Sequence, residues 1–255
     1  MKNASQAQAT TGSLKLFDLR DTSRSIPSPL AELKDRRLIV HADADPVFVE
    51  QYRRLGAVLH HGQVQEGTRS IAVASAVGKE GKTLTATNLA LMLSRSFKKR
   101  VLLVDGDLRK PSVHHVLQIE NAAGLTDVLE GRIGLLEAAR NLSPTFSVMT
   151  GGRHGSDPVA LLVSKATGQF LEEALDHFDW LIVDTPPVAL FPDAGLFLDK
   201  VDRCVMVLRA SSTSPAVATK AVAAIGASRI VGIVFNGAEK TEIASGYGYG
   251  EYAGK

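Results

Sequence analysis

The stretch Ala76-Val-Gly-Lys-Glu-Gly-Lys82-Thr83 carries the residue types that hold a phosphate. Gly78 and Gly81 let backbone N–H groups approach phosphate oxygens closely, Lys79 and Lys82 supply cations, and the Thr83 hydroxyl can ligate Mg²⁺. Glu80 and Leu84 complete the nucleotide-binding stretch, which leads from an apolar strand-like segment into a helical pattern. A helix that starts beneath such a loop adds its own free N–H groups to the anion site. The usual pattern has a glycine where Ala76 stands, so a glycine-rich strand-to-helix turn with incidental lysines is the competing reading.

Carboxylates follow in the order a phosphoryl-transfer site needs, to hold a metal or activate a nucleophile. The apolar run Val101-Leu-Leu-Val ends in Asp105-Gly-Asp107-Leu-Arg109, and Trp180-Leu-Ile-Val ends in Asp184-Thr-Pro-Pro187. If the strand extends through Gly106, alternation puts Asp105 and Asp107 on one side. Both would then face the loop across the carboxyl edge of a sheet, where ligands bind in open α/β folds. The paired prolines turn the chain away from Asp184. A lone aspartate at a strand end is equally well a cap or a turn former.

The elements that must position these groups alternate. Apolar runs at 71–77, 101–104, 146–149, 180–183, 204–208 and 230–235 read as buried strands. Helical stripes lie between them: Ala86, Leu89, Ala90, Leu93 and Phe97, then Phe170, Leu171, Ala174, Leu175 and Phe178. Asp157-Pro158 and Ser214-Pro215 read as helix starts, and Asp45-Pro46 opens an earlier helix with Phe48, Tyr52, Leu55 and Leu59 on one face. The expected fold class is α/β, a three-layer arrangement with a mainly parallel central sheet flanked by helices. Residues 1–40 read as a flexible tail, 41–238 as the folded domain, and 239–255 as a flexible tyrosine-containing tail.

Composition narrows the function classes. The 29 basic and 27 acidic residues nearly cancel, so no nucleic-acid partner is expected. The single cysteine, Cys204, fits a reducing compartment. Residues 1–11 lack an apolar h-region, and no run reaches the roughly 20 apolar residues of a membrane span. The expected location is the cytoplasm, with recruitment to the inner face of the membrane left to a partner. His41, Asp43 and Asp45 resemble a metal cluster, but Asp45 is better read as a helix cap. In the adjacent pairs His60-His61 and His114-His115, neighbouring side chains should diverge.

The three motifs in this order resemble those of the bacterial tyrosine kinases, a family of Walker-type P-loop NTPases that regulate capsule and exopolysaccharide synthesis. The resemblance runs from about Asp45 onward. It also takes in Gly124-Leu-Thr-Asp-Val-Leu-Glu-Gly131, Pro158-Val-Ala-Leu-Leu162, Pro192-Asp193-Ala194 and Val231-Gly-Ile-Val-Phe-Asn236. It implies ATP and Mg²⁺ as cofactors. Lys82 would bind phosphates, while Thr83, Asp105 and Asp184 would serve the metal. Asp105 would also take the proton of an acceptor tyrosine, Asp107 would support placement, Arg109 would contact phosphate or orient the loop, and Asn236 would read the base. For Asn236, a turn former after a strand is the alternative.

The resemblance further implies an autokinase whose acceptors are Tyr247, Tyr249 and Tyr252, where three of the four tyrosines cluster. The alternative there is a low-complexity tail without modification. Implied partners are a membrane-embedded polysaccharide co-polymerase that activates the kinase, a cognate tyrosine phosphatase and a homo-oligomer. No activator domain is fused, which resembles the split arrangement. Lys79 stands where the family has glycine. Gly56 replaces the last arginine of the Glu-x-x-Arg-x-x-Arg ring-assembly motif begun by Glu50 and Arg53. Two other functions compete: a positioning ATPase of the ParA/MinD type, whose signature lysine is replaced by Val77, and a weakly catalytic nucleotide-binding scaffold.

Overall fold

The computed structural model describes Leu30 and residues 33–153, 155, 157–189 and 193–238. Its strands are β1 (Ser70–Ser75), β2 (Val101–Asp105), β3 (Arg140–Ser143), β4 (Phe146–Met149), β5 (Trp180–Asp184), β6 (Arg203–Arg209) and β7 (Ile230–Asn236). They form one sheet in the order β3-β4-β2-β5-β1-β6-β7. Every pairing is parallel except that of β3 with β4. The helices are α1 (Pro46–Glu66), α2 (Lys82–Arg95), α3 (Val113–Leu117), α4 (Leu125–Leu129), α5 (Leu135–Ala138), α6 (Pro158–Val163), α7 (Lys165–His177), α8 (Asp193–Leu198) and α9 (Pro215–Ile225).

Side-chain alternation builds the three layers. Ile71, Val73, Leu103, Ile182 and Val205 point to one face, where they pack with Leu59 of α1, Leu89 and Leu93 of α2 and Leu117 of α3. Leu102, Val104, Leu181 and Val183 point to the other, against Leu125, Leu162, Phe170 and Phe197. Ala72, Ala74, Cys204 and Met206 extend that second face beneath α9. Both faces are covered, which is why the central strands read as unbroken apolar runs. The six expected strands are all present, with ends shifted by one or two residues. The edge strand β3 was not anticipated, because Arg140 and Asn141 are exposed and it carries no apolar run.

The folded part begins ahead of residue 41, earlier than composition indicates. Leu38 is fully buried, and Leu33, Ile39 and Val40 pack on the same cluster. Asn88 clamps this segment, accepting from Ile39 N at 2.9 Å and donating to Arg37 O at 2.9 Å. The 239–255 tail, with all three proposed acceptor tyrosines, lies outside the described residues.

Helix α1 starts as expected, with Asp45 accepting from Val47 N at 2.9 Å and Pro46 in the first turn. Asp45 is thereby a helix cap. Glu50 and Arg53 pair within the helix at 2.7 Å. Gly56 is buried, and a Cβ there would stand 2.8 Å from Phe97 Cε2 and 3.3 Å from Met92 Cγ. The place of the absent arginine is therefore a close contact between α1 and α2. We predict that Gly56→Arg lowers unfolding free energy by about 2 kcal/mol in urea titrations, the usual scale for overpacking. An unchanged midpoint would show that α1 can swing clear.

Candidate functional site

Parallel register brings the chemistry together. β1 and β2 flank β5, and Asp105 is the register partner of Asp184. The carboxyl ends of β1, β2, β5, β6 and β7 therefore lie along one edge, where ligands bind in such sheets. The loop between β1 and α2 crosses this edge. Gly81 caps α2 with φ +91°, and a Cβ there would collide with the Asn236 side chain. Only glycine fits at that point, for both reasons. Gly78, in contrast, has open space where a Cβ would stand.

Lys82, Asp105 and Asp184 form a buried cluster. Asp105 and Asp184 are fully buried, and Lys82 is 7% exposed. Lys82 Nζ donates to Asp184 Oδ1 at 2.5 Å. Asp105 Oδ2 accepts from the N–H groups of Ser112 and Val113, at 2.7 and 2.8 Å. Asp105 Oδ1 and Asp184 Oδ2 are buried without a hydrogen-bond partner. Thr83 Oγ1 lies 2.9 Å from Ser112 Oγ. Two unpartnered carboxylate oxygens beside a loop threonine are oxygen donors of the kind that a hard divalent cation takes, so these residues fit Mg²⁺. Lys82, expected to bind phosphates, is here paired with Asp184.

Several expected roles look different in place. Strand β2 ends at Asp105, and a turn follows over Leu108 and Arg109. The Lys110 N–H bonds both the carbonyl and the Oδ1 of Asp107, at 3.1 Å each. Gly106 N–H still donates to Asp184 O at 2.8 Å, so the ladder reaches Gly106 and the turn follows Asp107. Arg109 is exposed in that turn. The Glu80 side chain is turned inward: it is 2% exposed, and its Oε2 accepts from Val77 N at 2.8 Å. Its Oε1 accepts from the Thr213 hydroxyl and, at 3.4 Å, from Arg209 N. Asn236 Nδ2 donates to Glu80 O at 2.8 Å, so Asn236 holds the loop. Leu84 packs on the core. Ser112 and Thr213 were not singled out in the sequence, since an isolated Ser or Thr carries no spacing signal.

Lys79 adopts φ +68°, the left-handed region that favours glycine. A further departure concerns His114 and His115, whose rings do not diverge but stand 3.9 Å apart, centroid to centroid. Burial, followed by His115, holds the His114 ring below its usual value.

Comparison with known proteins agrees with this geometry. The ParA family model, described as NUBPL iron-transfer P-loop NTPase, matches residues 66–243. The tyrosine-protein kinase YwqD of Bacillus subtilis is 34% identical over 217 residues, 84% of this chain and 91% of that protein. The chain belongs to the bacterial tyrosine-kinase family of P-loop NTPases. The crystal structure of the chimerical protein CapA2B2 superposes with a TM-score of 0.74 at 26% identity, over 80% of this chain and 91% of that one. The kinase domain of Escherichia coli tyrosine kinase ETK gives 0.71 at 29%, over 75% and 76%. A P-loop NTPase fold is a nucleotide-binding fold, commonly with Mg²⁺.

Burial, followed by the charge of Asp184, pushes the Asp105 carboxyl up to about 7 from 3.8, against the pull of Val113 N–H, Ser112 N–H and Lys82. The folded state therefore holds this proton more tightly than the unfolded chain does. The stability that the group contributes is full below pH 3.8 and is lost as pH rises through about 7. We predict that Asp105→Asn matches the parent chain in denaturant midpoint at acidic pH and exceeds it at pH 8, both without nucleotide or divalent cation. Parallel pH profiles would refute this. Separately, Lys79→Gly should raise stability by about 1 kcal/mol by relieving the left-handed backbone; a loss on urea titration would overturn that account.

Proposed function

We propose that this chain is an ATP-dependent protein-tyrosine autokinase that regulates polymerisation and export of a capsule or exopolysaccharide. The observation that carries this reading is Asp105. It is a second carboxylate held beside Asp184 by two backbone N–H groups, with one oxygen left bare. A carboxylate fixed in this way, with an oxygen free to accept, is what taking the proton of an acceptor hydroxyl requires. The names of YwqD and ETK support the kinase assignment.

In this reading Lys82 binds the β- and γ-phosphates of ATP, and the Gly78–Thr83 backbone cradles them. Thr83, Asp105 and Asp184 would hold Mg²⁺, which would supply positive charge against that developing on the phosphates. The tyrosine oxygen attacks the γ-phosphorus, the bond to the ADP oxygen breaks, and the hydroxyl proton passes to Asp105. Asp107 and Arg109 place the substrate groups, and Asn236 meets the base once nucleotide enters. Lys82 must release Asp184 to reach the phosphates, so nucleotide entry exchanges one ion pair for another.

The acceptors are Tyr247, Tyr249 and Tyr252. The remaining tyrosine, Tyr52, is 8% exposed, and burial raises its hydroxyl pKa against hydrogen bonds to Thr85 and Asn88. It is neither reachable nor easily ionised. Among the described residues no helix is long and apolar enough to cross a membrane. A membrane-embedded co-polymerase recruits the chain to the inner face and activates it, a cognate phosphatase reverses the modification, and copies present their tails to one another.

Mass spectrometry after incubation with Mg-ATP tests this, with and without the cytoplasmic segment of a candidate membrane partner. Phosphate is expected on Tyr247, Tyr249 or Tyr252, lost in Lys82→Met and Asp105→Ala and kept in Tyr52→Phe. ATP hydrolysis without any phosphotyrosine under both conditions would replace the kinase by a positioning ATPase.

A further inference from the structure

A cleft of about 440 Å³ opens beside the phosphate loop, lined by Val77, Gly78, Lys79 and Glu80 on one side and by Arg209, Ser212 and Thr213 on the other. Its charge is one-sided. Glu80 is the carboxylate in its wall, and it is spent internally: Oε2 on the Val77 N–H, Oε1 on Thr213 and Arg209 N. Lys79 and Arg209 are exposed, and neither side chain forms an ion pair among the described residues. The cleft thus presents two unspent cations and the Ser212 hydroxyl. Its volume falls in the ordinary range for ligand clefts, roughly 300–1,000 Å³, larger than a single anion needs. Left-handed Lys79 carries its side chain on the same loop as Lys82, three positions away.

The chain itself contains a matching ligand. In the C-terminal run Gly246-Tyr-Gly-Tyr-Gly-Glu-Tyr-Ala-Gly-Lys255, Glu251 is the one carboxylate side chain, and it adjoins Tyr252 and lies two residues from Tyr249. The intervening glycine allows the short reach between an anchored carboxylate and a tyrosine hydroxyl presented at Lys82 and Asp105.

We infer that this cleft is a docking subsite for the chain's own acidic tyrosine segment, with the Glu251 carboxylate between Lys79 and Arg209. The inference rests on the kinase reading for its purpose, but the docking itself requires no catalysis. Arg209 is then a specificity-determining residue: it selects an acidic neighbour of the acceptor tyrosine and stands outside the Lys82, Asp105 and Asp184 cluster. Ser214, just past the cleft, caps α9 through the Val217 N–H at 3.4 Å, which steadies the turn that carries Ser212 and Thr213.

The test uses the full chain carrying Glu251→Gln, so that its own tail competes weakly, and two fluorescent peptides of residues 245–255 with Glu or Gln at the Glu251 position. Anisotropy titration should show the acidic peptide bound about fivefold more tightly, the scale of an exposed charge pair. Adding Arg209→Gln should reduce the preference, Arg209→Gln with Lys79→Gln should abolish it, and Arg209→Lys should keep it. Equal binding of both peptides to the parent, or a preference undiminished by Arg209→Gln, overturns the subsite. Thermal melts that match between variants exclude misfolding as the cause. Phosphate on the peptides, scored in the same mixtures, separates the two readings. Labelling without charge preference removes the subsite and leaves the kinase. Charge preference without labelling, in mixtures also given Mg-ATP and the cytoplasmic segment of the membrane partner, keeps the subsite and removes the kinase.

Discussion

Three ionisable side chains, Lys82, Asp105 and Asp184, are packed out of water with one positive charge between two carboxylates. Burying an unpaired charge costs several kcal/mol, so such a cluster persists only when each group has a specific partner. Lys82 takes Asp184, two backbone N–H groups take Asp105, and the remaining charge is met by retaining a proton. The sheet leaves little choice in this. Parallel pairing of β2 with β5 sets the two aspartates side by side, and β1 delivers Lys82 from the adjoining position. The site is short of positive charge by construction, which suits it to a dication and a polyanion arriving together.

A second constraint braces the loop from outside. Glu80 joins Val77 to the turn after β6, while Asn236 ties the Glu80 carbonyl to the end of β7. The loop is thereby attached to strands on both its flanks before any ligand is present. Groups fixed in advance need no ordering when the ligand arrives, which is the physical content of preorganisation. Lys79 strains against this frame, since the brace holds its backbone in a region where glycine would rest more easily.

How much of this could be read from residues alone follows from which forces are local. The loop, Asp105 and Asp184 were legible because each sits at the junction of an apolar run and a turn, and strand burial writes itself into composition. The side-chain direction of Glu80 was not, since its partner Thr213 is distant in sequence and no spacing links them. Helices α3, α4 and α5 are too short to display a 3.6-residue period. The packed stretch at 33–40 was hidden because its fit depends on Asn88, a polar residue inside an otherwise apolar helix. The family resemblance marked Gly56 as a missing arginine, whereas packing against Phe97 gives the glycine a reason of its own.

Trp180, the single tryptophan, is fully buried at the first position of β5, while Asp184 closes the same strand. At about 3.3 Å per residue the two residues stand roughly 13 Å apart along the strand, at opposite edges of the sheet. The indole emission therefore reports whether the sheet is intact and is insulated from events at the ligand edge. Denaturant should redden it, and nucleotide should leave it flat, so the molecule carries an optical gauge of its own integrity that is blind to its occupancy.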